Sequence, residues 1–373
     1  MSRRAANAGD YRALARARLP HFLFEYLDGG SYDEVTLRAN VEDLSRIALR
    51  QRVLRDVSRI DLGKTLFGRE WAMPVGLGPV GLAGMYARRG EVQAARAAAA
   101  ANVPFALSTV SGCSLREVAG CGHVPWYQLY FVKDRGFVAD MIDTASELGS
   151  AALILTVDLA VPGSRYRDYR AAGGGLRRAL DLLARPEWLW DVGLHGKPHS
   201  LGNLEPIVGR RAPLSDFQAW IHANFDPSVS WKDVEWVRKR WTRPLIIKGV
   251  LDPDDARRAA ESGADAIVVS NHGGRQLDGV LSTARALPPI ADALGGRLPL
   301  LADGGIRSGL DVVRMLALGA DFVLLGRAWA CALAGAGGRG VAHVLKLIKA
   351  EMRVAMALTG CTRIDEVDRS TLA

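Results

Sequence analysis

The residues best suited to chemistry stand close together in Ser270-Asn271-His272-Gly273-Gly274-Arg275-Gln276-Leu277-Asp278. Ahead of them, Ala266-Ile267-Val268-Val269 is a short β-branched run that reads as a buried strand. His272 and Arg275 therefore leave the carboxyl end of a strand, on a loop opened by two glycines. Imidazole exchanges a proton near neutral pH. A guanidinium three residues on can hold a carboxylate through two parallel hydrogen bonds. A base beside a carboxylate clamp suits chemistry on a small carboxylic acid. Taken alone, such a pair is more often a loop histidine and a solvated arginine, so the reading depends on what converges with it.

The positioning elements follow a rhythm. Met73–Gly78, Pro104–Ser108, Trp126–Tyr130 and Ala152–Asp158 read as strands, with helices over Glu91–Ala101, Leu115–Ala119 and Gly136–Leu148 between them. The rhythm resumes with strands at Pro244–Gly249, Ala266–Ser270, Leu298–Asp303 and Phe322–Gly326, and helices at Pro253–Glu261, Ala284–Leu294 and Gly309–Leu318. Eight continuous apolar strands alternating with helices predict an α/β chain closed into a (β/α)8 TIM barrel. The 373 residues are expected to form a single domain: a helical N-terminal cap over 1–70, the barrel over 71–330 and C-terminal helices over 331–373. The cap has helical spacing over Tyr11–Asp28, broken at Leu19-Pro20, and again over Asp33–Ser45.

Active sites in this fold are built at the carboxyl ends of the strands. Polar residues gather there: Ser108, Gln128, Tyr130, Thr156, Asp158, Lys248, Ser270, His272, Asp303 and Gly326-Arg327. Asp303-Gly304-Gly305-Ile306-Arg307 after the seventh strand and Gly326-Arg327 after the eighth fit the usual barrel phosphate site, with glycine N–H groups and two arginines as donors. Gly76-Leu77-Gly78-Pro79-Val80-Gly81 has the spacing of a dinucleotide fingerprint, but Leu107-Ser108-Thr109 lacks the acid that fold needs, and Pro79 has no N–H to give. These glycines are expected instead to let backbone at Pro79 approach a flat ligand over the barrel mouth.

Between Asp158 and Pro244 the rhythm breaks, and the excursion over 160–235 is too long for an ordinary loop, so it reads as a lid or accessory insertion. It opens with the cationic run Pro162–Arg170, passes a hinge-like Gly173-Gly174-Gly175, and sets basic and apolar faces at helical spacing over Leu176–Arg185, ahead of Trp188-Leu189-Trp190. A basic amphipathic helix beside tryptophans suits contact with an anionic membrane surface, or packing on the barrel or a neighbouring subunit. Composition, 49% hydrophobic and 24% charged, is that of a soluble globular chain with no apolar run near the ~20 residues of a span. Met1–Arg18 lacks the apolar region of a secretory signal. Cys113, Cys121, Cys331 and Cys361 lack metal-type spacing and are too sparse for a disulfide framework, so no metal and a reducing compartment are expected. The net charge of +8 comes without a nucleic-acid motif or aromatic-basic platform, so nucleic acid is not an expected partner.

With these residues in hand, the chain resembles the FMN-dependent L-2-hydroxy acid oxidoreductases, the family of glycolate oxidase and mandelate dehydrogenase. The likeness spans Leu19-Pro20 to Gly29, Gln128–Tyr130, Thr156–Asp158, Lys248-Gly249, Ser270–Asp278, Asp303–Arg307 and Gly326-Arg327. Phe22–Phe24, Met85–Gly90, Leu107–Ser111, Pro162–Asp168 and Asn224–Ser228 are most similar to the family's bacterial respiratory, quinone-linked branch acting on L-lactate. The resemblance implies FMN as cofactor and His272 as the base at substrate C2, with Asp158 orienting it. It implies that Arg275 and Tyr26 hold the substrate carboxylate, that Tyr130 faces the hydroxyl side, and that Arg165 closes over the site from the lid. Lys248 is implied near flavin N1 and the C2 carbonyl; Ser108, Gln128 and Thr156 bond the ring, joined by Pro79 and Ser270. Asp303, Gly304, Gly305, Arg307, Gly326 and Arg327 are implied to hold the ribityl phosphate. Val110 stands where glycolate oxidase has an aromatic residue, and Pro162 matches the strand-four loop; both imply a small apolar pocket. The implied reaction is oxidation of L-lactate to pyruvate with electrons passed to a membrane quinone, by a peripheral protein on the cytoplasmic side of the inner membrane, in a homo-oligomer of the family's tetrameric kind. The alternatives are an oxidase using O2, a dehydrogenase for mandelate or another L-2-hydroxy acid, and a non-catalytic flavin-binding barrel.

Overall fold

The computed structural model describes residues 5–171, 174–196, 199–208, 220 and 223–373. Gly173 of the expected hinge lies outside the described residues. Eight parallel strands carry the fold: β1 Val75–Leu77, β2 Ala106–Ser108, β3 Trp126–Leu129, β4 Leu153–Thr156, β5 Leu245–Val250, β6 Ala266–Val269, β7 Leu300–Ala302 and β8 Phe322–Leu325. Their ladder runs β1-β8-β7-β6-β5-β4-β3-β2, and a parallel bridge from Leu77 to Phe105 closes the ring into a (β/α)8 barrel. The paired segments are a residue or more shorter at their ends than most of the apolar runs that predict them, as fraying ends allow.

Pleat alternation sets what the barrel contains. Ala106, Trp126, Ile154, Ile246, Val268, Leu301, Phe322 and Leu324 share one buried interior cluster, while Leu107, Leu155, Ile247, Ile267 and Val323 join the larger cluster beneath the helices. A hairpin of Lys64–Leu66 and Arg69–Trp71 sends Leu66 and Trp71 into the interior cluster, with Trp71 edge-on to Trp126 at 6.2 Å. That side chain layer plugs the barrel at the amino ends of the strands and leaves the carboxyl ends open.

The cap consists of helices Ala8–Arg18, His21–Asp28 and Val35–Ser45. Pro20 stands at the N-cap of the second, where its missing N–H costs nothing. The first packs along the last long helix, Arg327–Thr359, which breaks direction at Ala336 and Gly337. After β4 the insertion folds as short helices: Tyr166–Ala171, Leu176–Leu183, Pro186–Trp188, a π-helical stretch Leu189–Leu194, and Glu205–Val208. Among the described residues no helix is long and apolar enough to cross a membrane, and no cluster of His, Cys, Asp or Glu could hold a metal ion. All four cysteines are free.

Candidate active site

Two residues beyond an inward-facing apolar residue, a strand's next inward position arrives at the mouth. Ser108 follows Ala106 in this way, Gln128 follows Trp126, Thr156 follows Ile154, Lys248 follows Ile246, Ser270 follows Val268, Asp303 follows Leu301 and Gly326 follows Leu324. The polar ring is thus a consequence of period two along parallel strands in one register. Above it lies a cleft of about 1430 Å³, its open mouth included, lined by Tyr26, Pro79, Tyr130, Thr156, Arg165, Lys248, His272, Arg275, Asp303, Gly304, Gly305, Arg307, Gly326 and Arg327. Ser108, Gln128, Asp158 and Ser270 stand behind that wall.

His272 sits at φ 57°, followed by Gly273 and Gly274 at 64° and 73°. A non-glycine residue in the left-handed region is strained, and such strain collects at functional sites. The His272 amide donates to Ser270 Oγ at 3.0 Å, which fixes the turn. Nδ1 lies 2.9 Å from Asp158 Oδ1. An ionised carboxylate can only accept, so Nδ1 carries the proton and Nε2 presents its lone pair, 3.5 Å from the Tyr130 hydroxyl. Burial pushes the imidazole below its usual pKa, against the opposing pull of Asp158, so it is neutral and basic at pH 7. Burial alone would raise Asp158, but His272 and Lys248 hold it below the usual carboxylate range. Gly249 makes room for this pair: at φ 108° a Cβ there would come within 2.6 Å of Asp158.

Lys248 donates to Ser270 Oγ at 3.0 Å and pairs with Asp303 at 3.1 Å, while Ser270 donates to Asp303 at 2.6 Å. Burial disfavours the ammonium, yet Asp303 and Asp158 raise its pKa, so a positive charge is fixed under the cleft. Opposite, Tyr26 lies between two guanidiniums, Arg275 at 4.8 Å and Arg165 at 5.8 Å from its ring centre. Arg275 spends only Nη1, on the carbonyls of Tyr26 at 2.6 Å and Gly29 at 2.9 Å. Its Nε–Nη2 edge, the bidentate face of the fork, has no partner among the described residues. Arg165 Nη1 pairs with Asp168 at 3.5 Å and its Nε is buried without a partner.

Arg307 and Arg327 line the same cleft and, like Arg275, pair with no carboxylate among the described residues. Arg327 donates to the carbonyls of Asp28, Gly273 and Gly29 at 3.2, 2.8 and 2.6 Å, and Arg307 to that of Ile306 at 2.9 Å. Burial, with Arg275 and Arg307 nearby, pushes Arg327 down to about 9. A guanidinium stays charged in proteins, so this pressure is a demand for an anion. The glycines here also serve packing. A Cβ on Gly305 would meet the Asn40 carbonyl at 2.1 Å, so its missing side chain admits the cap helix while its backbone lines the cleft. The same holds at the other glycine run: Gly76 backs on Leu324 and Pro104, and Gly81 on Val110, while Gly78, Pro79 and Gly81 still line the cleft.

The sequence profile of the FMN-dependent dehydrogenases matches residues 15–373. The chain belongs to that family. Among curated members of this FMN-dependent dehydrogenase family, it is 61% identical to an L-lactate dehydrogenase of Caulobacter sp. (strain K31), covering 98% of this chain and 97% of the relative, and 60% identical to one of Chromohalobacter salexigens, covering 97% and 94%. Among solved structures, a monotopic membrane protein, (S)-mandelate dehydrogenase, superposes with a TM-score of 0.94 at 36% identity over 100% of both chains. A mandelate oxidase superposes with a TM-score of 0.85 at 37% identity over 99% and 98%.

The residues of this FMN-dependent dehydrogenase fit FMN. Gln128 Nε2 and Thr156 Oγ1 are buried polar atoms without partners at the barrel mouth, although Gln128 Oε1 already accepts from Ser108 at 2.9 Å. Such atoms are costly unless a ligand satisfies them. The arginines at 307 and 327 lack the anion that a phosphate supplies. Other residues of the cleft escaped the sequence reading. Phe225, from far along the insertion, packs against Tyr130 at 5.2 Å with the rings tilted by 36°, and Asp168 and Tyr169 line the mouth. The Asn224–Ser228 likeness was the one sign of the first.

Proposed function

We propose that this oxidoreductase converts L-lactate to pyruvate and passes the electrons to a membrane quinone. The observation that carries the reading is His272, tied at Nδ1 to Asp158, with Nε2 facing the Tyr130 hydroxyl in a cleft that also holds the open fork of Arg275. The identity of about 60% with L-lactate dehydrogenases over nearly the whole chain supports the substrate. Bound FMN supplies the two-electron acceptor. Arg275, Tyr26 and Arg165 hold the substrate carboxylate, and this fixes C2 and its hydroxyl beside His272 and Tyr130. His272 Nε2 takes the proton released as C2 is oxidised, and Asp158 stabilises the imidazolium. Ser108, Gln128 and Thr156 hold the ring, Pro79 and Ser270 flank it, and Lys248 favours negative charge on it. Asp303, Gly304, Gly305, Arg307, Gly326 and Arg327 form the phosphate end.

A second reading keeps the site and changes the substrate to an aryl hydroxy acid such as (S)-mandelate, favoured by an apolar wall of Val80, Val110, Leu159, Pro162 and Phe225 and by the mandelate-acting structural neighbours. Anaerobic addition of single hydroxy acids to the yellow protein separates the two. L-Lactate should bleach the flavin, D-lactate should not, and a faster, tighter response to (S)-mandelate would replace the first reading with the second. Peroxide formed in air against reduction of a soluble quinone tests the acceptor.

The same proposal places the protein peripherally on the cytoplasmic side of the inner membrane. Helix Leu176–Leu183 has no buried residue, and Leu176, Leu180, Leu183, Trp190 and Leu194 are exposed. Trp188 is not part of that face: it is buried, with Nε1 donating to the Met85 carbonyl at 2.8 Å. A homo-oligomer, a tetramer in this reading, is supported by exposed Val53, Leu54, Val354 and Leu358 on two segments joined by the Arg52 amide donating to the Leu358 carbonyl at 3.0 Å. Light scattering at a single 40.2 kDa mass would remove that part.

A further inference from the structure

Arg167 stands two residues beyond Arg165 yet does not line the cleft, whereas Arg165, Asp168 and Tyr169 do. Its guanidinium runs the other way, into three carboxylates of the cap. Nε donates to Glu25, Nη2 to Asp28 at 3.1 Å and Nη1 to Glu34 at 3.3 Å. Glu25 and Asp28 bracket Tyr26 on one short helix, and Arg12 also grips Asp28, with Nε on Oδ1 at 2.5 Å and Nη2 at 2.8 Å on the Oδ2 that takes Arg167. The joint is reinforced by backbone: the Tyr32 amide donates to the Ser164 carbonyl at 2.7 Å, and the Tyr32 and Tyr166 rings meet edge-on at 5.7 Å. Arg167 and its three partners are each less than a quarter exposed, so the pairs are only partly screened. Removing the cation would leave Glu25, Asp28 and Glu34 facing one another with one arginine among them.

We propose that Arg167 is a positioning residue that clasps the lid helix to the helix of Tyr26, so that Arg165 and Tyr26 stand preset for the substrate carboxylate. The inference rests on the carboxylate-binding reading above. His272 is fixed independently, by Asp158 and Ser270 on the barrel. Loss of the clasp therefore loosens binding while the proton transfer keeps its geometry, which separates KM from kcat.

The test uses FMN-loaded protein carrying Arg167→Ala, with Arg167→Lys and Glu34→Gln beside it. Arg167→Ala should raise KM for L-lactate about tenfold or more with kcat within about threefold, and weaken binding of the inert dicarboxylate oxalate, read from the flavin spectrum, by a similar factor. Trypsin should cut the variant sooner than the parent between 159 and 185, and Arg167→Lys should recover part of both effects. An unchanged KM with unchanged trypsin cleavage overturns the clasp, as does a fall in kcat at constant KM. If the parent oxidises no hydroxy acid, the carboxylate reading fails by itself, and the trypsin comparison alone decides the clasp. If Arg167→Ala does not fold, Glu34→Gln and Arg167→Lys carry the same comparison.

Discussion

His272 is defined by which of its nitrogens is already engaged. Asp158 takes Nδ1–H, which leaves the Nε2 lone pair for the proposed role of base. His272→Gln keeps a polar side chain of similar length but no base; turnover should fall by about 10²–10⁴-fold while the protein stays yellow, as absorbance and steady-state rates will report. The pH dependence follows from the sign of the shift. The base must be neutral, so kcat/KM climbs as pH rises through the His272 pKa. Burial sets that pKa below the ordinary value, which places the acid limb below about pH 6.5. Asp158 opposes burial by favouring the imidazolium, so in Asp158→Asn the acid limb should move to still lower pH and the plateau should drop, because the imidazolium formed during turnover loses its partner. A profile of kcat/KM from about pH 4.5 to 8 checks both; a limb that moves upward contradicts the assignment.

Between elements, the decisive contacts are those that lash the His272 loop to the cap. Asn40 and Asn271 form a reciprocal amide pair, with bonds of 2.8 and 2.7 Å, and both are buried. Asn40 also accepts from the Thr283 amide at 3.2 Å, and Asp278 accepts from the Thr36 amide at 2.7 Å. Asn40→Ala would orphan a buried amide and should cost about 2–3 kcal/mol, seen as a lower urea midpoint and easier loss of flavin. This layer was invisible in the sequence, because nothing local marks a partner 231 residues away. The barrel itself was legible, since strands buried on both faces must be continuously apolar and parallel connections need helices. The ring of polar strand ends was legible for the same reason. Trp188 and Trp190 are not separable in sequence, because both sit in one helical stretch and only tertiary packing, with a bond to the Met85 carbonyl, buries the first. Arg165, Arg275, Arg307 and Arg327 line one cleft, but the sequence could not show that Gly305 packs on Asn40 or that Arg275 spends one nitrogen on the backbone of Tyr26.

For the molecule as a whole, the proposed membrane contact joins a net charge of +8 to the exposed leucine face of 176–183. Replacing Leu176, Leu180, Leu183 and Trp190 with Ser should abolish sedimentation with vesicles containing about a third anionic lipid, while turnover with a soluble dye stays within about twofold of the parent. Sedimentation that survives the replacement assigns the membrane contact elsewhere.

Ring closure has a consequence for biosynthesis. β1 finds its full ladder in β8, with a single bridge from Leu77 to Phe105 on its other side, and the opening helix lies along the final one. Tyr26 and Arg327, 301 residues apart in number, meet over the same opening. A chain that stops short of β8 therefore lacks one wall of the cleft proposed to hold flavin. Stopping translation before residue 322 should yield a colourless product however much cofactor is supplied.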